Sequence, residues 1–207
     1  MKKSDNAHPG RQLGVLDLAH RFLRSHVQPG DLCIDATAGR GFDTKLLCEL
    51  TGETGRVLAF DIQEEAVEST RKLLADNGLT AEVHLESHAN LGNFAEAGTV
   101  SCIVFNFGWL PRGSHEIFTH ADSSIAALEA SLRLLRVGGA LSLCVYYGGA
   151  NGFTERDALL DWLSALDSRY FTVLKCDFPN RTGCPPFAVF VTKDSEPSAA
   201  DTQRSPE

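Results

Sequence analysis

The chain has 207 residues, of which 43% are hydrophobic and 22% charged, values typical of a single globular domain. Its formal net charge of −8 disfavours broad, non-specific binding to nucleic acid, because that mode depends on neutralising phosphates. The sequence shows no bilayer-spanning apolar run and no secretion signal, so we expect no membrane partner. The cysteines form no Cys-x-x-Cys pair, so we expect no metal site and a reducing cytoplasm.

Short apolar runs alternate with helical patterns along most of the chain. The elements predicted in chain order are a helix at 11–27, a strand at 31–36, a helix from Asp43 or Thr44 to Thr51, a strand at 56–61, a helix from Glu64 to Asp76, strands at 81–86 and 101–106, a helix from Ser123 to Leu135, a strand from Ala140 to Tyr146, a helix at 154–167, and strands from Tyr170 to Phe178 and from Phe187 to Thr192.

This alternation predicts an α/β fold, a three-layer Rossmann-like sheet that is mostly parallel. The last two strands follow each other without a helix, so the last strand is expected to run antiparallel. We predict a mobile N-terminus at 1–10, one domain at 11–193 and a disordered tail at 194–207 that is rich in Ser, Pro and acidic residues. In the first predicted helix, His20, Arg21 and Arg24 are interpreted mainly as a solvated face.

A glycine-containing turn follows the first predicted strand, in the segment Asp35-Ala-Thr-Ala-Gly39-Arg-Gly41-Phe-Asp43-Thr44. Such a strand–turn–helix unit is typical of sites for adenosine-containing cofactors. The dinucleotide fingerprint requires a third glycine, and Thr44 takes that position. Asp35 would repel a pyrophosphate but would favour a ligand with cationic groups. Both features favour S-adenosylmethionine over NAD. Asp61, at the end of the second strand, would accept hydrogen bonds from ribose hydroxyls in either cofactor.

A second polar motif, Asn106-Phe-Gly-Trp109-Leu-Pro111, follows the fourth predicted strand. It resembles the Asn/Asp-Pro-Pro-aromatic motif of amino-group methyltransferases. The carbonyl of the Asn106 side chain and a nearby backbone carbonyl would accept both hydrogens of a target amine, so that its lone pair faces the methyl group. Trp109 would stack on a splayed-out base. Ser87 and His88, after the third strand, lie where adenine is expected. Loops at Tyr146 and at Pro185-Pro186 could complete the pocket.

Together these motifs resemble the YtqB group of rRNA methylase-like proteins, now regarded as tRNA 5-aminomethyl-2-thiouridine methyltransferases (MnmM). The resemblance covers about residues 12–192. The strings that carry it are Asp35-Ala-Thr with Gly39-x-Gly41-x-Asp43-Thr44, Phe60-Asp61-Ile-Gln63-Glu64, Ser87-His88, Val104-Phe-Asn106-x-Gly108-aromatic-Leu-Pro111-x-Gly113, Val145-Tyr146-x-Gly148 and Pro185-Pro186-Phe187. The chain departs from the family at Arg40-Gly41-Phe42, Tyr147-Gly148-Gly149 and Ser123-Ser124.

The resemblance implies a class I fold and S-adenosylmethionine-dependent methylation of the 5-aminomethyl group of a wobble uridine. It implies catalytic roles for Asn106 and Trp109 and a base pocket of Trp109, Pro111, Tyr146 and Pro186. The expected cofactor-binding residues are Asp35, Thr37, Gly39, Gly41, Asp43, Thr44, Asp61, Ile62, Gln63, Ser87, His88 and Asn106. The expected partner is the anticodon region of tRNA, and a homodimer is left open.

The sequence is also compatible with three other functions. A small molecule or another RNA base could be the methyl acceptor, and the acidic body of the chain favours that alternative. A non-catalytic homologue that only binds S-adenosylmethionine or RNA is disfavoured, because a degenerate site should lose Asp61 or Asn106. An NAD-linked dehydrogenase would need the absent third glycine.

Overall fold

The computed structural model describes residues 12–108, 121–148 and 152–197. Within these ranges helices and strands alternate as the hydrophobic pattern predicts. They are α1 (Val15–His26), β1 (Leu32–Asp35), α2 (Phe42–Thr51), β2 (Arg56–Asp61), α3 (Glu64–Asp76), β3 (Glu82–Leu85), a 3₁₀ helix (His88–Asn93), β4 (Val100–Phe107), α4 (Ala121–Leu134), β5 (Leu135–Val145), α5 (Gly152–Ser164), β6 (Phe171–Cys176) and β7 (Phe187–Lys193).

The strands form one seven-stranded sheet in the order β3-β2-β1-β4-β5-β7-β6. Neighbours from β3 to β5 are parallel, which requires the long crossovers that the helices supply. The last strand, β7, runs antiparallel to both β5 and β6. The predicted α/β sheet, mostly parallel with an antiparallel last strand, is therefore confirmed.

Alternate residues of the central strands pack against the two helical layers. Phe105 and Phe107 lie in the core on the side of α4 and α5. Cys102 and Val104 belong instead to the core on the side of α1, α2 and α3. Asn106 has the parity of Cys102 and Val104, so the period of the strand directs it toward α1 and α2. The position of Asn106 in the strand therefore decides which side chains it contacts.

Most bounds shift by a few residues from the sequence prediction, and two differences are larger. The strand β5 begins at Leu135, where a helix was expected to end, because Leu135 pairs with Val100 before a register shift in the ladder. Gly138, with φ of 76°, supplies the backbone conformation that this irregular start needs. The 3₁₀ helix at His88–Asn93 was not predicted.

Several predictions concern residues outside the described ranges. They are the predictions of a mobile N-terminus at 1–10, of the roles of Trp109 and Pro111, and of disorder in most of the tail at 194–207. The predicted division into domains therefore stays a prediction. No helix in the described ranges is both long and apolar enough to cross a membrane.

Candidate active site

The site lies at the edge of the sheet where the parallel strands end. Asp35 ends β1, Asp61 ends β2, and Asn106 is the penultimate residue of β4. Because parallel strands share one carboxyl edge, three polar side chains that are distant in sequence meet here. Tyr146 joins them directly after β5, and its backbone N–H donates to the carbonyl of Phe107 at 2.9 Å.

The turn after β1 crosses over the end of β2 before α2 begins. The Ala38 N–H donates to the Phe60 carbonyl at 2.8 Å, and the Gly39 N–H donates to Asp61 Oδ2 at 2.9 Å. Gly41 has φ of 81°, and a Cβ there would lie 2.9 Å from Thr70 Cα, so only glycine fits. Gly41 gives α2 no side-chain cap, which leaves the positive end of the helix directed at this edge.

Thr44 explains why the third glycine of the dinucleotide fingerprint is absent. Its hydroxyl is fully buried and donates to Asp35 Oδ2 at 2.6 Å. The Thr37 N–H donates to Asp35 Oδ1 at 3.2 Å. Burial, together with the charge of nearby Asp43, raises the pKa of Asp35 to about 7. Because Asp35 is fully buried, it acts on a ligand through its charge, and a cationic ligand would favour its ionised form.

We predict that the affinity for S-adenosylmethionine depends on pH through Asp35. The pKa of Asp35 is raised in the free protein, so below about pH 7 a proton must leave before the carboxylate can attract the ligand. Affinity should therefore fall about tenfold as pH decreases from 7.0 to 5.5, a range in which the ligand's α-amino group stays mostly protonated. Calorimetry across this range measures the effect. Asp35→Asn should flatten the profile, and an equally steep profile in that variant would refute the role of Asp35.

The Asp61 carboxylate, at the end of β2, is held by backbone N–H groups. Its Oδ1 accepts the Gln63 N–H and its Oδ2 accepts the Gly39 N–H, both at 2.9 Å. A carboxylate has about four lone-pair positions, so Asp61 keeps capacity to accept the hydroxyls of a ribose. Ile62, 56% exposed, and Gln63, which precedes α3, lie beside this carboxylate. Partial burial raises the pKa of Asp61, and the backbone N–H groups of Gln63, Gly39 and Ile62 oppose that shift.

The 3₁₀ helix after β3 brings a neutral imidazole to the same edge. Ser87 caps this helix by accepting the Ala89 N–H at 3.2 Å, and His88 follows it. The ring of His88 packs edge-on against Phe105 and Phe107, and burial lowers its pKa to about 4. Its buried Nε2 has no hydrogen-bond partner among the described residues. Such an atom is costly unless a ligand satisfies it, so its position suits the polar edge of an adenine.

Asn106 holds the second unsatisfied atom of the site. Its backbone N–H donates to Thr37 Oγ1 and its Nδ2 donates to Asp43 Oδ2, both at 2.7 Å. A carboxylate only accepts hydrogen bonds, so the amide group of Asn106 must face Asp43. The carbonyl Oδ1 then points the other way, and in the described part of the chain this buried atom has no donor. Asn106 therefore holds a fixed, unsatisfied acceptor at this edge of the sheet.

Tyr146 and Pro186 border the site, while Trp109 and Pro111 lie outside the described residues. Tyr146 is half-buried and packs with α1 and β7, and burial raises the pKa of its hydroxyl, which therefore stays protonated. A Cβ on Gly108 would lie 2.9 Å from Tyr146 Cβ, so the turn after β4 requires glycine there. Pro186 is half-buried and directly precedes β7. The roles of Tyr146 and Pro186 in binding a base stay predictions.

The sequence interpretation missed the role of His20. Its Nε2 lies 2.6 Å from Asp43 Oδ1, and the ring is one-third exposed rather than on a fully solvated face. A signal was present, since His20 shares the apolar stripe of α1 with Ala19 and Leu23, both of which are buried. A polar residue on a buried helix face is a sign of a specific partner. Asp43 was predicted at the cofactor, but its bonds to His20 and Asn106 were not.

The residues at this edge suit S-adenosylmethionine. Asp61 suits the ribose hydroxyls, the unpartnered Nε2 of His88 suits adenine, and the negative charge of Asp35 suits a cationic tail. Together with the strand order and the antiparallel β7, they define a class I methyltransferase that uses S-adenosylmethionine.

Comparison with known proteins identifies the family. The sequence model of a family described as "Putative rRNA methylase" matches residues 57–192. The chain belongs to this rRNA methylase family. It is 34% identical over 188 residues to the chloroplastic tRNA (mnm(5)s(2)U34)-methyltransferase of Arabidopsis thaliana, covering 86% of this chain and 68% of the plant protein.

Solved structures agree with this assignment. An rRNA methylase from Clostridium thermocellum, described as putative, superposes with a TM-score of 0.85 at 37% identity, covering 88% of this chain and 99% of that one. A methyltransferase from Streptococcus mutans, SMU.1697c, was solved in complex with SAH. It superposes with a TM-score of 0.80 at 32% identity over 88% of this chain and 99% of its own.

Proposed function

We propose that this methyltransferase acts on the amine of 5-aminomethyl-(2-thio)uridine at the wobble position of tRNA. The observation that carries the proposal is the buried, unpartnered Oδ1 of Asn106 at the end of β4. An acceptor fixed in this way suits a substrate that donates an N–H. The name of the plant relative specifies a modified uridine at position 34 of tRNA, and this supports the same acceptor here.

The chemistry follows from the arrangement around Asn106. S-adenosylmethionine, when bound, supplies an activated methyl group, so the protein chiefly has to position the amine. Asn106 Oδ1 would accept one N–H of the amine, and a backbone carbonyl the other, which directs the nitrogen lone pair at the methyl group. As the nitrogen–carbon bond forms, the carbon–sulfur bond to the methyl group would break and S-adenosylhomocysteine would leave. Positive charge would develop on the nitrogen, which would then lose a proton to water. The Asp43 carboxylate, bonded to Asn106 Nδ2 at 2.7 Å, would stabilise this charge.

A surface beside the site supports an RNA acceptor. Tyr147 follows β5 on the side of α5, and its ring lies 5.8 Å from that of Phe153. The guanidinium of Arg156 lies 5.0 Å from the Tyr147 ring and 4.9 Å from the Phe153 ring, and it also pairs with Asp157. Phe153 is 40% exposed. Phe153 is therefore the exposed ring of a cluster that also holds the half-buried Tyr147 and Arg156, and an exposed aromatic ring beside an arginine is the kind of group on which unpaired bases stack, as in an anticodon loop.

Replacing Phe153 and Arg156 together with alanine should raise the KM for tRNA about tenfold, because stacking on one base is worth roughly 1–3 kcal/mol. The Kd of S-adenosylmethionine should not change. A matched control is the pair Arg169 and Tyr170, whose guanidinium and ring lie 5.1 Å apart. This pair lies near the start of β6, at the edge of the sheet opposite to the one where the parallel strands end. Alanine at both control positions should leave the KM unaltered. Equal effects of the two double variants would argue against this surface.

The proposal is tested by incubating the purified protein with S-adenosylmethionine and tRNA that carries 5-aminomethyl-2-thiouridine. Mass spectrometry of the digested nucleosides should show a gain of one methyl group on that nucleoside. The same tRNA with unmodified uridine at the wobble position is the control and should gain none. Methylation of a different nucleoside would favour the second acceptor class below, and no methylation of the aminomethyl nucleoside would reject the proposal.

A small molecule or another RNA base is the second candidate acceptor, and the net charge of −8 favours a small molecule. Against a small molecule stand the exposed Arg21 and Arg24 on α1, a helix that borders the site through His20. A non-catalytic role is not supported, because Asp61 and Asn106 both keep bonded, functional geometries. A cytoplasmic location belongs to the proposal, in keeping with six free cysteines. A homodimer stays a prediction that light scattering can test.

A further inference from the structure

A chain of hydrogen bonds leads from α1 to the proposed acceptor of the amine. His20 Nε2 lies 2.6 Å from Asp43 Oδ1, and Asp43 Oδ2 accepts Asn106 Nδ2 at 2.7 Å. Asp43 is 7% exposed, so water competes little for its oxygens. The three residues come from α1, α2 and β4, and none of them lies near another in sequence. They are called the His20–Asp43–Asn106 chain below.

We propose that His20 is a positioning residue for methyl transfer, acting on Asn106 through Asp43. This inference rests on the proposed function, because it assigns a task to the same Asn106 side chain. A carboxylate only accepts, so His20 Nε2 must be the donor. With one oxygen of Asp43 held by His20, the other faces Asn106. The carboxylate is thereby held in place, and with it the Asn106 amide, whose Oδ1 is left for the substrate.

The groups around His20 fit this assignment. On α2 the facing group is Asp43. Tyr146, directly after β5, is close enough to Asp43 to feel its charge, and burial keeps the Tyr146 hydroxyl protonated. On α1 itself Arg21 and Arg24 are exposed. Losing the donor would leave one oxygen of a nearly buried carboxylate unsatisfied. The Asp43 carboxylate would then be free to turn, and the Asn106 amide that is bonded to it would lose its fixed position.

Two substitutions of His20 separate hydrogen bonding from packing. His20→Leu keeps the volume but removes the donor, and His20→Gln places an amide N–H near the position of Nε2. His20→Leu should lower kcat about tenfold or more, while the KM for tRNA and the Kd of S-adenosylmethionine stay within about threefold, as expected for loss of a positioning interaction. His20→Gln should restore kcat to within about threefold of the wild type.

The matched control is His26→Leu. His26 lies on the same helix, and its Nε2 bonds to the Ser101 carbonyl at 3.3 Å, at the opposite end of β4 from Asn106. This variant loses an imidazole from α1 without touching the chain of hydrogen bonds, so its kcat should stay near the wild-type value. A normal kcat in His20→Leu, or a kcat in His20→Gln as low as in His20→Leu, would overturn the proposal.

A second measurement needs no methyl acceptor, so it separates this inference from the proposed function. Nuclear magnetic resonance of ¹⁵N-histidine-labelled protein should show a proton on Nε2 of His20. Asn106→Ala should shift that signal, although Asp43 lies between the two residues, and should leave His26 unchanged. An unshifted His20 signal would refute the coupling. If the wild-type protein methylates no tRNA but this shift is seen, the proposed acceptor fails and the chain of hydrogen bonds stands.

Discussion

Replacing Asn106 with alanine is expected to slow methyl transfer about a hundred- to a thousandfold, the usual cost of removing one oriented hydrogen-bonding group from a reaction centre. The affinity for S-adenosylmethionine should stay within about threefold of the wild type, because Asp61 and the glycine turn keep their own contacts. Single-turnover kinetics on the aminomethyl-containing tRNA measures the first quantity, and calorimetry measures the second.

The physical reason is the unsatisfied oxygen of Asn106. In the described part of the chain Oδ1 has no donor, although it is buried and its amide group is held by Asp43. Alanine removes the acceptor that would orient the amine and also leaves Asp43 without the Nδ2 donor. Asn77→Ala is the matched control, since Asn77 is exposed and its Nδ2 donates to the Leu73 carbonyl at the end of α3. A kcat for Asn106→Ala equal to that of the control would contradict the assignment.

Replacing Asp61 with alanine should weaken S-adenosylmethionine binding at least about a hundredfold. Hydrogen bonds to a charged group contribute about 1.5–3 kcal/mol each, and two ribose hydroxyls are expected on this carboxylate. The loss has a second cause, because the carboxylate also accepts the N–H groups of Gly39 and Gln63. Without it, the glycine turn loses an anchor to β2, so the site is no longer preorganised.

Asp76→Ala is the control for the loss of charge. Asp76 ends α3 and forms an exposed pair with Lys72, so its removal should leave the Kd of S-adenosylmethionine unchanged. Circular dichroism should show that both variants are folded. A Kd for Asp61→Ala within threefold of the wild type would exclude Asp61 as the ribose partner, and with it the arrangement of the cofactor described above.

The sheet was predictable because its local signals agree with its global form. The helix from Glu64 to Asp76 matches the prediction at both ends, since acids begin it and Asn77-Gly78 stops it. The start of β5 was not predictable, because Leu135 continues an apolar helical stripe and only pairing with Val100 makes it a strand. The 3₁₀ helix was missed for a related reason, as its short sequence has no periodicity and depends on the Ser87 cap and on the burial of Leu91.

The site was only partly predictable. Strand ends follow from the hydrophobic pattern, so Asp35, Asp61 and Asn106 were expected at one edge of the sheet. The partners of these groups were not, because they depend on how the layers pack. Asn106 meets Asp43 only because the parity of β4 directs it toward α2, and His20 joins them only because α1 packs on the same side. No spacing in the sequence encodes such a contact across three elements.

The most direct test of the central claim is the nucleoside composition of tRNA from cells that lack this protein. If the enzyme methylates the amine of the wobble uridine, 5-aminomethyl-2-thiouridine should accumulate and its methylated product should disappear. Restoring the wild-type gene should reverse both changes, and the Asn106→Ala variant should not. An unchanged nucleoside profile in cells without the protein would contradict the account and direct attention to another methyl acceptor.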